Sequence, residues 1–245
     1  MTSGSAAIVR QRAAKAGGRT LEIFADTPRL NAWMFSNVAA GARGDVLEIG
    51  SGIGNISRLL RPHVTRLVVT DTEPNYLREL EAIFEGDAAV TVAAYDLDGP
   101  PPPAIAAQGY DAIVAVNVLE HIADDRALVA RLATLLRPGG QLLVYVPACP
   151  FAFGALDVKL GHHRRYTPAS LTALLRGAAL EPSPPRYVNL LGLVGWWFSG
   201  RVLRREILSP RAVALFDRFV ALARLEDRVR LPIGLGLCAR ATKAA

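Results

Sequence analysis

Val46-Leu47-Glu48-Ile49-Gly50-Ser51-Gly52-Ile53-Gly54 sets an apolar, strand-like run directly against three glycines at alternate positions. Glycine has no Cβ, so the backbone there turns sharply and lets a ligand approach closely. A helical pattern, Ile56–Leu60, follows at once. Strand, glycine turn and helix form the opening unit of a nucleotide-binding α/β sheet. Two familiar versions of that unit are excluded. A dinucleotide site wants a further glycine or alanine where Asn55 stands, and a P-loop wants a Gly-Lys-Ser/Thr that is missing.

Outward from this unit, short β-branched runs alternate with helical patterns: Leu67–Thr70 then Tyr76–Phe84, Val90–Ala94, Ala112–Val118 then Ala127–Leu136, and Leu142–Val146. Such alternation predicts a parallel sheet with helices on both faces. Pro74 suits a first helical turn, Arg137-Pro138-Gly139-Gly140 stops one helix before the next strand, and Pro100 to Pro103 reads as a stiff surface connection. Polar groups fall at the ends of the strands. Asp71 lies about 17 residues beyond Gly54, near the roughly 20-residue interval at which an acid meets ribose hydroxyls on such sheets. Asp96 follows the third strand, where a carboxylate can accept from an adenine amine. Asn117-Val118-Leu119-Glu120-His121 ends the fourth at the same carboxyl edge, where open α/β sheets bind ligands.

In this ordered set the whole chain resembles the class I S-adenosylmethionine (SAM)-dependent methyltransferases. Glu48 to Gly54 looks like their first motif, Asp71 their ribose-binding acid, Asp96-Leu97 their adenine-side motif and Asn117 to His121 their fourth motif, while Leu136 to Gly140 resembles the turn before their fifth strand. The resemblance implies an α/β, Rossmann-like, seven-stranded and mostly parallel sheet whose last strand is antiparallel. It implies SAM as cofactor, held by Glu48, Gly50, Ser51, Gly52, Gly54, Asp71, Thr72, Asp96, Leu97 and Asn117. A single domain is expected over 1–245, with an N-terminal helical cover (1–44), a SAM-binding core (45–147), substrate and lid insertions with a sixth strand (148–230) and a closing strand (231–242).

The run after the fifth strand resembles a narrower group within these enzymes, marked by Leu160-Gly161-His162-His163-Arg164-Arg165-Tyr166 and by an Asn-x-x-Gly-x-x-Gly-Trp-Trp stretch at Asn189 to Trp197. Cys149 stands where that group has histidine. Such proteins look like methyltransferases of small molecules or sugars. O-methylation of a small-molecule, natural-product or sugar-type acceptor is therefore expected. A SAM-binding protein with a cyclase or regulatory role, or an enzyme acting on a lipid-linked or nucleic-acid acceptor, is the alternative.

His121 is placed where a base could take a proton from an acceptor hydroxyl, with His162 the second candidate; the competing reading has His121 orient Glu120 or a loop. His163, Arg165 and Tyr166, in a loop able to act as a lid, and Trp33, in the N-terminal cover, are the expected acceptor contacts. The alternatives are that Asp157 pairs with Arg165 to brace the loop and that Trp33 is core. No metal is expected, because adjacent His162 and His163 point apart in most backbones and no carboxylate stands at ligand spacing in the sequence.

A formal charge of +6, with arginine clusters at Arg10 to Arg19, Arg164-Arg165, Arg201 to Arg205 and Arg224 to Arg230, is compatible with an acidic or membrane-surface partner. The basic residues are scattered, no RNA-binding module is visible, and the amine-methylating Asp/Asn-Pro-Pro-Tyr/Phe motif is absent, so no nucleic acid is expected. Leu190 to Leu208 mixes tryptophans with arginines and reads either as a membrane-interface segment or as an apolar helix capping the sheet or a dimer. Two distant cysteines, Cys149 and Cys238, and no signal-like N-terminus predict a cytoplasmic setting, and a monomer or homodimer is expected.

Overall fold

The computed structural model describes residues 22–23, 25–205 and 209–244; the Arg10 to Arg19 cluster, the first half of the expected cover and the end of the Leu190 to Leu208 segment lie outside them. The strands are β1 (Asp45–Ile49), β2 (Arg66–Asp71), β3 (Val90–Ala94), β4 (Tyr110–Val116), β5 (Leu136–Pro147), β6 (Leu180–Pro182), β7 (Arg186–Val188) and β8 (Gly236–Lys243). They form one sheet ordered β3-β2-β1-β4-β5-β8-β6, with β7 also on β8. The first five strands pair in parallel, and β8 runs antiparallel to β5, β6 and β7. The expected seven positions are thus filled by eight strands. Pro184 and Pro185 lack N–H donors and interrupt the edge, so β6 and β7 share its last position in succession.

Both faces of the sheet are covered, which explains the near-continuous apolar runs. Period-two alternation sorts the side chains: Leu47, Ile49, Ile113, Ala115, Leu142 and Val144 enter the core on one face, and Val46, Ala112, Val114, Leu143 and Tyr145 that on the other. β5 begins earlier than the sequence pattern suggests, because Leu136 already pairs with Tyr110; a register shift before Ala112 absorbs Arg137 to Gly140. The closing strand starts at Gly236 rather than Leu231.

The helix starts follow their caps. Thr167 and Ser170 cap each other's backbone N–H groups ahead of Pro168–Gly177, and Asp124 accepts from the Ala127 N–H ahead of Asp125–Leu135. The helix Pro28–Val38 covers one sheet face through Val38, Met34 and Phe35. Its Trp33 is 2% exposed, packs with Leu30, Val220 and Ala223 and donates Nε1–H to Asp227 Oδ2 at 2.9 Å. Trp33 is therefore core between two helices and not the acceptor contact expected of it; its indole N–H has an internal partner.

Beyond β5 the chain is tied down by the Leu160–Tyr166 motif. Asp157, fully buried, accepts from Gly154 N at 3.0 Å, Arg165 Nε at 2.8 Å and Trp196 Nε1 at 3.2 Å, and meets His162 Nδ1 at 2.8 Å. Burial alone raises its pKa, but His162 and Arg165 outweigh this and hold it below the usual carboxylate range. The motif also grips the turn after β4. His163 N donates to Glu120 O at 2.8 Å, Arg164 to Ile122 O at 3.0 Å and Ala123 O at 2.7 Å, and Tyr166 Oη to Asp125 at 2.8 Å. Removing one member of a buried ion pair costs about 3–5 kcal/mol, because the other charge is stranded. Asp157→Ala and Arg165→Ala should each lower stability by about that much, and the double variant by well under the sum. Denaturant unfolding of the three proteins checks this.

Candidate functional site

The site is built on the carboxyl edge where β1 lies between β2 and β4, the point at which the strand order reverses direction. β1 ends in a loop that only glycine makes easily: Gly50, Gly52 and Gly54 have φ of 65°, 55° and 80°. A Cβ on Gly50 would stand 2.7 Å from Val118 Cγ2, so the first glycine also lets the turn after β4 approach. Ser51 N donates to Thr70 O at 2.8 Å, and the Ser51 hydroxyl accepts from Thr70 N at 3.2 Å. Beneath this loop lies Glu48. It is buried and accepts from Ser57 Oγ at 2.5 Å; burial pushes its pKa up to about 7.

Asp71 closes the loop from the tip of β2. One carboxylate oxygen accepts from Gly52 N at 2.9 Å, the other from Thr72 N at 2.8 Å and Glu73 N at 3.0 Å. A carboxylate has about four acceptor sites, so Asp71 retains capacity for a ligand hydroxyl. Asp96, past β3, is exposed and accepts from Asp98 N at 3.1 Å, while its neighbour Leu97 is buried beside the core. Asn117 leaves β4 at φ 53°, a conformation L-residues rarely adopt, with its N–H held by Tyr145 O at 2.9 Å. Glycine loop, spare acid, apolar wall and second acid line one edge, and they fit the adenosine and methionine parts of SAM. Thr72 is exposed at this edge, and Glu48 lies under the loop.

A second group of polar residues follows β4. Glu120 is fully buried, yet neither of its carboxylate oxygens has a hydrogen-bond partner. Leaving such a group unpaired costs about 1–3 kcal/mol, so it calls for a partner or a proton. Burial, opposed by Arg165, pushes its pKa up to about 8. The His121 and His162 rings meet edge to face with centroids 4.7 Å apart. His121 keeps an exposed face; crowding by the protein and then by His162 and His163 lowers its pKa, favouring neutral imidazole. His162 is fixed through Nδ1 on Asp157, which leaves Nε2 as its free nitrogen.

The folded chain thus joins His121 and His162, 41 positions apart in sequence, and adds Glu120, whose importance spacing did not reveal. One donor atom from each of the three lies within 4.8 Å of the others. The reasoning that no carboxylate accompanies the histidines therefore fails, because tertiary packing supplies one from a different loop. Arg165 and Tyr166, expected to contact an acceptor, are buried and bound internally. Arg165 holds Asp157 and Ala148 O and stacks 5.0 Å over Trp196, and Tyr166 holds Asp125. His163 is exposed.

The Asn-x-x-Gly-x-x-Gly-Trp-Trp stretch has a local reason as well. Asn189, at φ 66°, caps the helix Leu190–Trp197 by accepting from Gly192 N at 2.8 Å, and a Cβ on Gly192 would stand 2.3 Å from that amide. Leu191, Val194, Trp197 and Phe198 face outward with Arg201, Arg204 and Arg205 nearby in sequence. Among the described residues no helix is long and apolar enough to cross a membrane.

A family model described as a methyltransferase domain matches residues 47–142. The ubiquinone biosynthesis O-methyltransferase of Xanthomonas axonopodis pv. citri is 32% identical over an alignment 160 residues long that covers 58% of this chain and 64% of that protein. The chain thus spans less than two thirds of the length of this curated relative. Among solved structures, the N-methyltransferase NodS of Bradyrhizobium japonicum, in complex with S-adenosylhomocysteine, aligns with a TM-score of 0.56 at 18% identity, over 87% of this chain and 85% of NodS. The [4+2]-cyclase SpnF aligns with a TM-score of 0.56 at 17% identity, over 89% and 81%. Residues 47–142 thus match a methyltransferase-domain model, and the chain as a whole has a Rossmann-like methyltransferase fold.

Proposed function

We propose that this chain transfers a methyl group from SAM to an oxygen of a small-molecule, natural-product or sugar-type acceptor. The observation that carries this reading is the adjacency of two half-sites. β1 and β4 are paired neighbours, so the glycine loop ending one and the His121 turn following the other stand side by side on one edge. When bound, SAM supplies an electrophilic methyl group on a positively charged sulfur.

The chain's own part is to bind, orient and handle a proton. Asp71 accepts from ribose hydroxyls, Asp96 from the adenine amine, and Leu97 walls the base. Gly50 to Gly52 let the methionine end approach the backbone, and Glu48 supports that loop from below through Ser57. Orientation supplies much of the barrier reduction in a displacement of this kind, since two reactants held in line no longer have to find each other. His121, neutral and exposed, takes the acceptor hydroxyl's proton; His162, pinned by Asp157, lies beside it. The relative's name as an O-methyltransferase of ubiquinone biosynthesis supports oxygen as the nucleophile. A lipid-linked acceptor suits the outward apolar residues of Leu190–Trp197. Because a [4+2]-cyclase shares the fold, SAM binding without turnover is the second reading.

Two outcomes are expected. Asp71→Ala should weaken SAM and S-adenosylhomocysteine alike by about 2–3 kcal/mol in calorimetry, through loss of hydrogen bonds to a charged group. His121→Ala should lower S-adenosylhomocysteine formation, measured with phenolic and sugar acceptors, by roughly 10²–10⁴-fold while cofactor affinity stays the same.

A further inference from the structure

We propose that Glu120, His121 and His162 form a binding site for one divalent transition-metal cation of the zinc class. The donor atoms already stand within 4.8 Å of one another. Tetrahedral ligands at zinc lie about 3.3 Å apart, given bonds of about 2.0 Å, so the three side chains would draw together on loading. Two imidazoles and one carboxylate are a borderline-soft set, which suits zinc, cobalt or iron and not magnesium or calcium. Three protein ligands leave a fourth position open, the pattern of catalytic rather than structural sites.

Two further observations point to a ligand. Glu120 is completely buried with both oxygens unpartnered, and a cation would satisfy the group that the protein itself leaves unsatisfied. Behind the cluster, the Asp157 carboxylate holds His162 Nδ1 at 2.8 Å, which fixes the ring and leaves Nε2 as the nitrogen able to donate an electron pair. A carboxylate behind a ligating histidine is the usual outer partner of a metal site. The exposed side of His121 provides an entry path.

Cation binding stands on this geometry alone; its role in catalysis rests on the methyltransferase reading. There a bound cation would engage the His121 ring, so the cation-loaded cluster and the cluster with His121 free to take a proton are two separate states of this site.

The test is calorimetric titration of the chelator-treated 245-residue chain with Zn²⁺, with visible absorption of Co²⁺ as the report on coordination. One cation per chain is expected. Glu120→Gln and His162→Ala should each weaken it by roughly 10–100-fold or more, while His63→Ala, a histidine stacked on Phe35 away from the cluster, should leave it unchanged. No saturable binding, or binding indifferent to both variants, would overturn the proposal. If Glu120→Gln fails to fold, His121→Ala, which removes an exposed side chain, carries the same test. S-adenosylhomocysteine affinity measured on the same samples separates the two readings. Cofactor binding without the cation sinks this site alone, and cation binding without the cofactor sinks the methyltransferase pocket.

Discussion

The buried carboxylate of Asp157 is the constraint on which the loop after β5, and with it the proposed acceptor side, depends. It gathers Gly154, His162, Arg165 and Trp196, four residues from the loop after β5 and the helix Leu190–Trp197, around two oxygen atoms. A charge withdrawn from water is tolerated only when its lone pairs are filled, and these partners fill them. Through Arg165 the carboxylate also fixes Ala148 at the end of β5, and through His162 it sets one ring of the Glu120–His121–His162 cluster. The post-β5 loop is therefore a braced wall rather than a free lid.

That brace gives a physical meaning to the Leu160–Tyr166 motif. Gly161, at φ 79°, ends the helix Ala155–Leu160 and turns the chain back so that His162 meets Asp157. Each residue that follows then holds something: His163 the Glu120 carbonyl, Arg164 two carbonyls after Glu120, Arg165 the buried acid, and Tyr166 Asp125. The motif fastens two loops on adjacent strands, β4 and β5, so that groups from both keep one geometry. Such support is what a reacting site requires, since small displacements of an oriented group cost rate steeply.

The proposed cofactor side is legible in the sequence because its signals are local. A strand that ends in alternating glycines and an acid at the tip of the next strand are read within a few dozen residues, and the apolar runs revealed the sheet because its faces are both covered. The acceptor side was legible only as a list of residues. Arg165 and Tyr166 look like ligand-binding side chains, and nothing in their neighbours' identities says that Asp157 and Asp125 consume them. Glu120 does not stand out in the sequence because its lack of a partner is a property of tertiary packing. The split edge strand and the late start of β8 escaped notice for a similar reason: three-residue strands exist only through β8, which pairs with both.

The central claim is that one edge of the sheet binds SAM through Asp71 and opens onto the His121 cluster. A crystal structure of the protein grown with S-adenosylhomocysteine tests it most directly. The account predicts ribose hydroxyls on the Asp71 carboxylate, the adenine against Leu97 and the homocysteine sulfur directed toward the His121 turn. A nucleoside bound elsewhere, or a sulfur directed away from that turn, would contradict it.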